Sequence, residues 1–479
     1  MLQKDLSYWV KLTITAMIIF GGHFMSGVGV ITPFGTTIVG IFCGLIVGYC
    51  TLGMIIPSFM ALISLGFSGY ALLGDVLKMS FGDGTVLFII SILLLSAMLA
   101  HSKLSEKILG KMLSMNSIKG KPWAISFVFW LAAYVIAIFI NSIPSTIICW
   151  TLLFDLFAKL GYKPGDKWPM TMILGVLFTS VLGAAIAPFQ ISVVSNFGLL
   201  GIVSQGAVGL KPLNYMIWAT VCSVVLFALF MVFARFVIRP DVSLVKHADF
   251  GDADKAGLTT EQKIITVIFA LFAIGLILPS ILPEGNMVKE FFAAMGNAGW
   301  GLTMVLLAIL IRIDGEPVFD FTRMFSEGVI WDIVMMIATV FTIVGAITSD
   351  STGVPQAISM LLSPMFNALS PMVFFIIVIM IYTIIANLTN TVALTCIFIP
   401  ILYVFLQNTE INMAVFVAIS VFVSTASFLV PAATVNAVMM YQNEWVPKKE
   451  AVVFAIFSMV IVYLVMVVVG LPLGNVLLA

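Results

Sequence analysis

Long apolar stretches, broken by short polar ones, run along almost the whole chain. Five of them contain no Asp, Glu, Lys or Arg, at residues 12–74, 168–210, 351–409, 411–443 and 451–479. A helix needs about 20 mostly apolar residues to cross a bilayer, whereas a membrane barrel is built from ~10-residue segments of alternating polarity. Apolar runs such as FIISILLLSAML (88–99) show no alternation. The pattern therefore predicts an all-α, polytopic membrane protein.

Hydropathy and Gly/Pro punctuation separate nine continuous spans, near residues 10–30, 34–50, 52–70, 84–100, 212–236, 264–283, 300–312, 329–348 and 451–472. Two further spans, at 170–200 and 413–441, are interrupted. Segments 122–158 and 371–408 are each long enough for a span and a half, and polar residues interrupt both midway. We expect both to fold as re-entrant hairpins of two half-helices. The prediction is therefore about 11 transmembrane helices plus two re-entrant hairpins.

Composition narrows the classes of function. The chain has 479 residues, of which 62% are apolar and 9% are charged, against ~45–50% and ~25% in soluble domains. The net charge is zero and there are only three histidines, so we expect no nucleic-acid partner, no metal site and no cofactor. The motifs HExxH, GxSxG and GxxxxGK[ST] are absent, which argues against an enzyme and against ATP-driven transport by this chain.

Lysines indicate how the chain is oriented. Residues 101–121 carry five lysines against the single Glu106, and the positive-inside rule places such a stretch in the cytoplasm. Residues 159–167, with three lysines, belong on the same side. Counting spans then puts the N-terminus and the 240–262 linker in the cytoplasm, and Asp350 and Glu410 outside. The expected location is the cell membrane, with multiple passes.

The two halves of the chain share one layout. Residues 1–239 hold 14 Lys+Arg against 6 Asp+Glu, whereas residues 240–479 hold 8 against 16. Corresponding loops therefore differ in charge, and two repeats of inverted topology are expected. The alternative is a loose alignment between any two sets of apolar helices. The aligned pairs are 75–99 with 320–344, 123–157 with 372–406, and 170–200 with 413–441.

The expected division has four parts: an extra first transmembrane helix (1–33), repeat 1 (34–239), a polar cytoplasmic linker (240–262) and repeat 2 (263–479). Each repeat is expected to contain a scaffold, a transport part and a last helix. These are 34–120, 121–210 and 211–239 in repeat 1, and 263–368, 369–443 and 444–479 in repeat 2.

Four polar breaks interrupt the apolar core: INSIPST (140–146), APFQISVVSN (187–196), NLTNT (387–391) and VPAATVN (430–436). Unpaired backbone groups cost several kcal/mol in hydrocarbon, so such breaks persist only where protein or a wet cavity satisfies them. Broken helices paired across inverted repeats are typical of secondary transporters, whose half-helix N-termini bind anions near the midplane. No Lys or Arg lies in these regions, so an anion there would be held by helix ends and amides.

At these residues the sequence resembles the divalent anion/sodium symporter family, whose two hairpin tips each carry a Ser-Asn-Thr tripeptide. Thr389-Asn390-Thr391, followed by Ile399-Pro400-Ile401, matches the second tripeptide. Ile140-Asn141-Ser142 matches the first except for the leading Ser. The family's later TPPN-type breaks correspond to Val193–Asn196 and Ala433–Asn436, which keep the Asn but not the paired prolines.

The resemblance implies an elevator-type homodimer in the lipid bilayer that carries small dianions such as C4 and C5 dicarboxylates, citrate or sulfate. A structural alternative is that the two tip asparagines only form interhelical hydrogen bonds. By the resemblance, the substrate carboxylates would contact Asn141, Ser142, Thr389, Asn390 and Thr391, and the residues Asn196, Thr434 and Asn436 would line the same cavity.

The departures from the family pattern bear on ion coupling. Ile140 stands at the position of the lost Ser, and Ile136 and Ile385 lie one turn before the tips. Isoleucine offers no side-chain oxygen to a hard cation. The expected function is therefore sodium-independent exchange of dicarboxylates by a secondary transporter. The main alternative is sodium-coupled symport of dicarboxylate, citrate or sulfate, and a membrane enzyme or a channel is more distant.

Overall fold

A computed structural model describes residues 2–113, 120–247, 257–313, 315–367, 369–406, 409 and 411–478. Most of this part of the chain is helical. Within it, extended pairing is limited to an antiparallel ribbon of β1 (Arg312–Ile313) and β2 (Glu316–Pro317) and to a single bridge between Val28 and Ile31. The predicted all-α class is confirmed.

Eleven helices lie in the first half of the chain. Their starts follow ordinary capping chemistry: the Thr32 hydroxyl accepts a hydrogen bond from the Gly35 N–H at 3.0 Å, with Pro33 at the first helical position. The helices are α1 (Leu2–Gly21), α2 (Pro33–Thr51), α3 (Ile55–Phe67), α4 (Leu73–Phe81), α5 (Gly84–His101), α6 (Leu104–Leu113), α7 (Pro122–Phe139), α8 (Ser142–Leu160), α9 (Lys167–Ala184), α10 (Ile191–Val203) and α11 (Pro212–Phe233).

Eleven more helices follow the linker. The first of them begins with a capping box, in which Thr259 and Gln262 exchange side-chain-to-backbone hydrogen bonds. The helices are α12 (Thr260–Ile277), α13 (Met287–Leu310), α14 (Phe321–Gly328), α15 (Trp331–Ile347), α16 (Val354–Asn367), α17 (Pro371–Leu388), α18 (Thr391–Leu406), α19 (Met413–Thr425), α20 (Val435–Gln442), α21 (Lys448–Val465) and α22 (Leu471–Leu477).

Ten of the described helices are long and apolar enough to cross a membrane, or eleven if α14 and α15, bent by 71°, form one span. The chain is therefore a multi-pass membrane protein. Three of the ten, α7, α8 and α17, are arms of the predicted hairpins. The predicted total of about 11 spans besides the hairpins is reached only if the shorter or more charged α1, α3, α15 and α19 also cross.

The hairpin arms are longer than the predicted half-helices. The helices α7 and α17 have 18 residues each and α8 has 19. At 1.5 Å per residue such arms measure about 27 Å, close to the ~30 Å thickness of the hydrocarbon core. Arm length alone therefore does not distinguish a re-entrant hairpin from two full spans. Either arrangement returns the chain to the side from which it entered, so the predicted orientation is unaffected.

Two predicted spans have different bounds in the structure. The first helix ends at Gly21 rather than near residue 30, and a single 3₁₀ turn, Gly22–Phe24, follows it. The helix predicted at 300–312 starts at Met287 and is interrupted at Gly296, whose backbone has φ 62° and ψ 171°. Only glycine adopts this conformation readily. Lys289, Glu290 and Asn297 hid the first half of α13 from the hydropathy pattern.

Glycines allow α9 to pack closely on α7. A Cβ atom at Gly175 would collide with the Trp130 indole, and one at Gly183 would collide with the carbonyl oxygen of Tyr134. The second collision involves backbone, which a rotamer change does not relieve. Small side chains that let helix backbones approach are typical of membrane helix pairs. The rigid pairing of α7 with α9 ties the first hairpin to the span that follows it.

We expect Gly183→Ala to destabilise the protein by about 1–3 kcal/mol, because overpacking forces α7 and α9 apart. The measurement is the thermal unfolding midpoint of purified protein in detergent. Gly201→Ala is the matched control, since a Cβ at that α10 position meets no atom within 4 Å. Equal midpoints for both variants would contradict the close packing of α7 on α9.

Candidate functional site

The first hairpin turns at Asn141, between α7 and α8. The Ser145 hydroxyl donates a hydrogen bond to the carbonyl of Ala133 at 2.7 Å. Twelve residues of continuous helix would span about 18 Å, so this bond forms only where the chain folds back. The Asn141 Oδ1 caps α8, accepting from the Ile143 N–H at 3.4 Å and from the Ser142 hydroxyl at 3.2 Å. The break INSIPST therefore forms a hairpin tip.

The second hairpin turns at Asn390, between α17 and α18. Tyr382 and Thr395, thirteen residues apart, share a hydroxyl–hydroxyl hydrogen bond of 2.7 Å, so the chain folds back here as well. The Asn390 Oδ1 accepts hydrogen bonds from the Val392 and Ala393 N–H groups at 3.0 and 3.1 Å. Both tips thus have the same construction, in which an asparagine side chain caps the outgoing helix.

Both tips contact one short segment, residues 433–436, at the start of α20. From the first tip, the Ser142 Oγ accepts a hydrogen bond from the Asn436 Nδ2 at 3.2 Å. From the second tip, the Thr391 N–H donates to the carbonyl of Ala433 at 3.4 Å. Residues far apart in sequence therefore meet in one place. We call this group the tip cluster; it comprises Asn141, Ser142, Asn390, Thr391 and residues 433–436.

Thr389 and Thr434 also lie at the tip cluster, but both make helix-terminal contacts. The Thr389 N–H donates to the carbonyl of Ile385 at 3.0 Å and ends α17. Thr434 caps α20: its hydroxyl accepts from the Ala437 N–H at 3.1 Å and donates to the carbonyl of Ser427 at 2.9 Å. The Thr434 hydroxyl is therefore engaged in structure.

Asn196 stands apart from the other predicted site residues. It lies within α10 and is buried, and its Nδ2 donates to the Ser420 hydroxyl on α19 at 3.1 Å. No hydrogen bond within the described ranges joins it to either tip. One turn along α19, the Ser424 hydroxyl lies 2.8 Å from the Tyr382 hydroxyl. Asn196 thus belongs to the polar packing behind the second hairpin.

The donors that the tips offer differ from those expected. The first N–H groups of α18 are already bound to Asn390 and Ala433, and Pro144 removes one N–H from α8. The helix ends themselves are therefore largely occupied. With each Oδ1 facing its helix, the Nδ2 groups of Asn141 and Asn390 face away from it, and neither has a hydrogen-bond partner among the described residues. Because backbone N–H groups need an acceptor, the Oδ1 of each amide is assigned to the side that faces its helix.

Break 1 (185–190), between α9 and α10, is closed off by protein. The Gln190 Nε2 donates to the carbonyls of Ala137 and Ile138 at 3.0 and 2.9 Å, at the end of α7. The Tyr215 hydroxyl donates to the carbonyl of Ala185 at 2.6 Å. Every residue of the break is buried. These contacts tie the break to α7 and α11.

Break 2 (426–434), between α19 and α20, is more open. The Asn387 Oδ1 accepts from the Phe428 N–H at 3.1 Å, and the Tyr441 hydroxyl donates to the carbonyl of Leu429 at 2.7 Å. Pro431 and Ala432, however, are exposed, and the tip asparagines are half-buried. Break 2 thus places exposed residues in the chain next to the tip cluster, whereas break 1 is fully buried.

Several polar residues with structural roles at the site were not singled out from the sequence. Gln190 and Asn387 lie inside two of the polar breaks, and a polar residue in hydrocarbon is itself the signal that marks them. Tyr382 and Ser420 gave no such signal, because an isolated hydroxyl in a helix can bond to its own backbone. Their partners became evident only from the three-dimensional arrangement.

The tip cluster contains no ionisable side chain. The eight predicted residues are all Asn, Ser or Thr, which offer neutral donors and acceptors only. One acceptor is unused: the Asn436 Oδ1 is buried and has no hydrogen-bond partner in the described part of the chain. Across the same residues there is no group of three or more His, Cys, Asp or Glu able to hold a metal ion.

Comparison with protein-family models and with curated proteins gives no match. Among solved structures, the chain is similar to the Alcanivorax borkumensis YdaH transporter, a structure described as revealing an unusual topology. The TM-score is 0.53 at 13% sequence identity, and the match covers 84% of this chain and 88% of the other. The likeness shows a shared fold over most of both chains. It does not single out the divalent anion/sodium symporter family.

Proposed function

We propose that this chain is a secondary transporter of small organic dianions, chiefly C4 and C5 dicarboxylates, and that it works by sodium-independent exchange. The observation that carries the proposal is the convergence of both hairpin tips on residues 433–436. Two fold-backs from distant parts of the chain meet at an unwound segment inside an apolar protein, which is the arrangement expected of a transporter site. The fold shared with a transporter adds support.

The proposal includes two repeats of inverted topology that move as an elevator. The two halves place similar elements in the same order: an amphipathic helix, a span, a hairpin, a broken span and a last helix. Opposite charge bias in the two halves supports opposite insertion. The scaffold would then stay fixed in a homodimer while the transport part moves. The elements in order are α4, α5, α7–α8, α9–α10 and α11 in repeat 1, and α14, α15, α17–α18, α19–α20 and α21 in repeat 2.

The chemistry of the tip cluster supports a small anion with several acceptor oxygens. The free Nδ2 groups of Asn141 and Asn390 are donors, and a carboxylate is an acceptor with two oxygens. Hydrogen bonds to a charged partner are about twice as strong as neutral ones. With no cation in the site, binding is weak enough for release. No ionisable side chain lies there, so pH is expected to act mainly through the substrate's own carboxyl groups.

One observation favours the alternative, sodium-coupled symport. The unpartnered Asn436 Oδ1 is an oxygen in a buried position, and hard cations bind oxygen ligands. A single side-chain oxygen is far short of a full coordination shell, and Ile140 and Ile385 contribute none. Exchange therefore stays the first proposal, and a sodium gradient is the variable that separates the two.

The test uses purified protein in liposomes loaded with unlabelled succinate, with uptake of labelled succinate followed with and without sodium. We expect uptake that requires internal succinate and is unchanged when sodium is replaced by choline. Uptake into empty liposomes that needs an inward sodium gradient would establish the symport alternative. If none of a panel of C4, C5 and C6 acids, citrate and sulfate is taken up saturably, the proposed function is contradicted.

A further inference from the structure

An apolar slot lies behind the first hairpin tip, at the contact between the hairpin and the scaffold. Its volume is about 270 Å³. Ten of its twelve lining residues are apolar, and the hydroxyl of one of the two others, Thr266, already donates to the carbonyl of Gln262 at 2.6 Å. The slot is bounded by α12, by the last turn of α7 and by the α5–α6 corner. The other polar lining residue, Ser105, is buried and offers the slot a single hydroxyl, so the lining favours a chiefly apolar ligand.

The slot opens toward the bilayer. Thr266 and Ala270 on α12 are exposed, as is Phe139 at the end of α7, and all three line the slot. Their neighbours Val267 and Leu271, at 57% and 43% exposure, continue the lipid-facing side of α12. Apolar cavities stay dry, so water does not fill this one. The acyl chains of the surrounding membrane are the apolar groups with direct access.

Basic residues stand at one end of the slot. The Gln262 Nε2 donates to the carbonyl of Ser102 at 2.9 Å, which joins the start of α12 to the α5–α6 corner. Lys263 and Lys103 directly follow these two residues, and both are exposed. Lys107 lies one turn further along α6. The acidic residues Glu106 and Glu261 are also exposed there, leaving one excess positive charge at the end predicted to be cytoplasmic.

We propose that this slot binds one phospholipid of the inner leaflet, with an acyl chain between α7 and α12 and the phosphate beside Lys103 and Lys263. Apolar lining, an opening to lipid and cations at headgroup level together match the two ends of that molecule. The residues Ile136, Phe139 and Ile140 contact the chain and lead directly into Asn141. The bound lipid therefore supports the tip from behind.

Native mass spectrometry tests the binding directly. Protein released from detergent after incubation with dioleoyl phosphatidylglycerol is expected to retain one lipid. Ala270→Trp fills the slot from its open side and is expected to lower the apparent affinity at least about tenfold, the effect of removing about two methylene groups from apolar contact. Leu271→Trp is the matched control, because it places the same indole side chain on the same helix but outside the slot.

Each outcome decides the proposal. Equal lipid retention in both Trp variants would overturn it. A dimer that is seen in the wild-type protein and in Leu271→Trp, but dissociates in Ala270→Trp, would also overturn it, because a second copy of the chain would then occupy the slot. Lys103→Gln with Lys263→Gln is expected to weaken retention without blocking the slot. If Ala270→Trp does not fold, Ala273→Phe replaces it. Binding is read by mass, so it stands or fails independently of the proposed transport.

The proposal that the bound lipid supports the hairpin tip rests on the proposed function, and it is tested separately by transport. In succinate-exchange assays, Ala270→Trp is expected to slow uptake several-fold relative to Leu271→Trp. If Ala270→Trp loses lipid binding but takes up succinate at the wild-type rate, the lipid site is supported and the role of the lipid at the tip is overturned. Absence of uptake in the wild-type protein would contradict the proposed function and leave the lipid site unaffected.

Discussion

Replacing Asn390 with Asp is expected to abolish succinate exchange while leaving the fold intact. The Asn390 Oδ1 caps α18 through two N–H groups, and Asp is as good an N-cap as Asn. The substitution therefore keeps the structural role and exchanges the free Nδ2 donor for a second carboxylate oxygen. Losing a hydrogen bond to a charged partner costs about 1.5–3 kcal/mol, and charge repulsion adds to that cost. A fall in uptake of at least ~100-fold follows.

The measurement is initial uptake at pH 8, where the new carboxyl is ionised, with the thermal midpoint of the same sample as the folding check. Asn286→Asp is the control, since Asn286 caps α13 in the same way, accepting from the Val288 N–H at 2.9 Å, but lies in an exposed loop. Near wild-type uptake by Asn390→Asp would show that this asparagine serves only as a helix cap. Asn390→Ala does not separate the two roles, because it removes the cap and the donor together.

The positions of the breaks were predictable from the sequence because their cause is local. Pro144 and Pro431 cannot donate to a helical ladder, and asparagine favours helix starts. Both hairpin tips therefore turn at a predicted asparagine, Asn141 and Asn390, and a predicted break lies at each unwound segment. The roles proposed for these residues in substrate binding stay predictions.

The occupation of the helix ends was not predictable, because it depends on partners distant in sequence. The N–H of Thr391 is bound by Ala433, 42 residues further on, and Asn196 pairs with Ser420, 224 residues away. A list of polar residues does not show which acceptor each donor meets. Asn196 was therefore grouped with the tips, although its hydrogen bond lies behind the second hairpin.

The difference between the two breaks has the same origin. In break 1, Gln190 donates to the carbonyls at the end of α7 and Tyr215 donates to the carbonyl of Ala185, and every residue is buried. In break 2, Asn387 and Tyr441 make comparable contacts, yet Pro431 and Ala432 stay exposed. Similar sequences in the two halves thus have different surroundings.

The contact between α10 and the scaffold is where the elevator proposal is most directly tested. An ideal Cβ at Gly198, in the proposed transport part, would lie 2.8 Å from the Thr85 Cγ2 on α5 and 2.9 Å from the Phe341 ring on α15, both in the proposed scaffold. A cavity of about 480 Å³ next to this contact is lined by both Thr85 and Gly198. The Thr85 Cβ is one bond of about 1.5 Å from its Cγ2, so the Cβ atoms of cysteines at these two positions would lie at most about 4.3 Å apart, within the ~3.5–4.5 Å that a disulfide spans.

Thr85→Cys with Gly198→Cys is therefore expected to lose essentially all succinate exchange on oxidation with copper phenanthroline, and to regain it with dithiothreitol. Sliding of the transport part needs this contact to break, and a covalent bond prevents it. Cys43 and Cys50, the two exposed cysteines among the described residues, are first replaced by Ser. The matched control is Ser80→Cys with Thr342→Cys, whose hydroxyls lie 2.6 Å apart on α4 and α15, both within the scaffold. The disulfide of this control should leave exchange unchanged. If the cross-linked Thr85→Cys/Gly198→Cys variant still exchanges succinate fully, α10 does not move relative to α5, and a transport part that includes α10 is excluded.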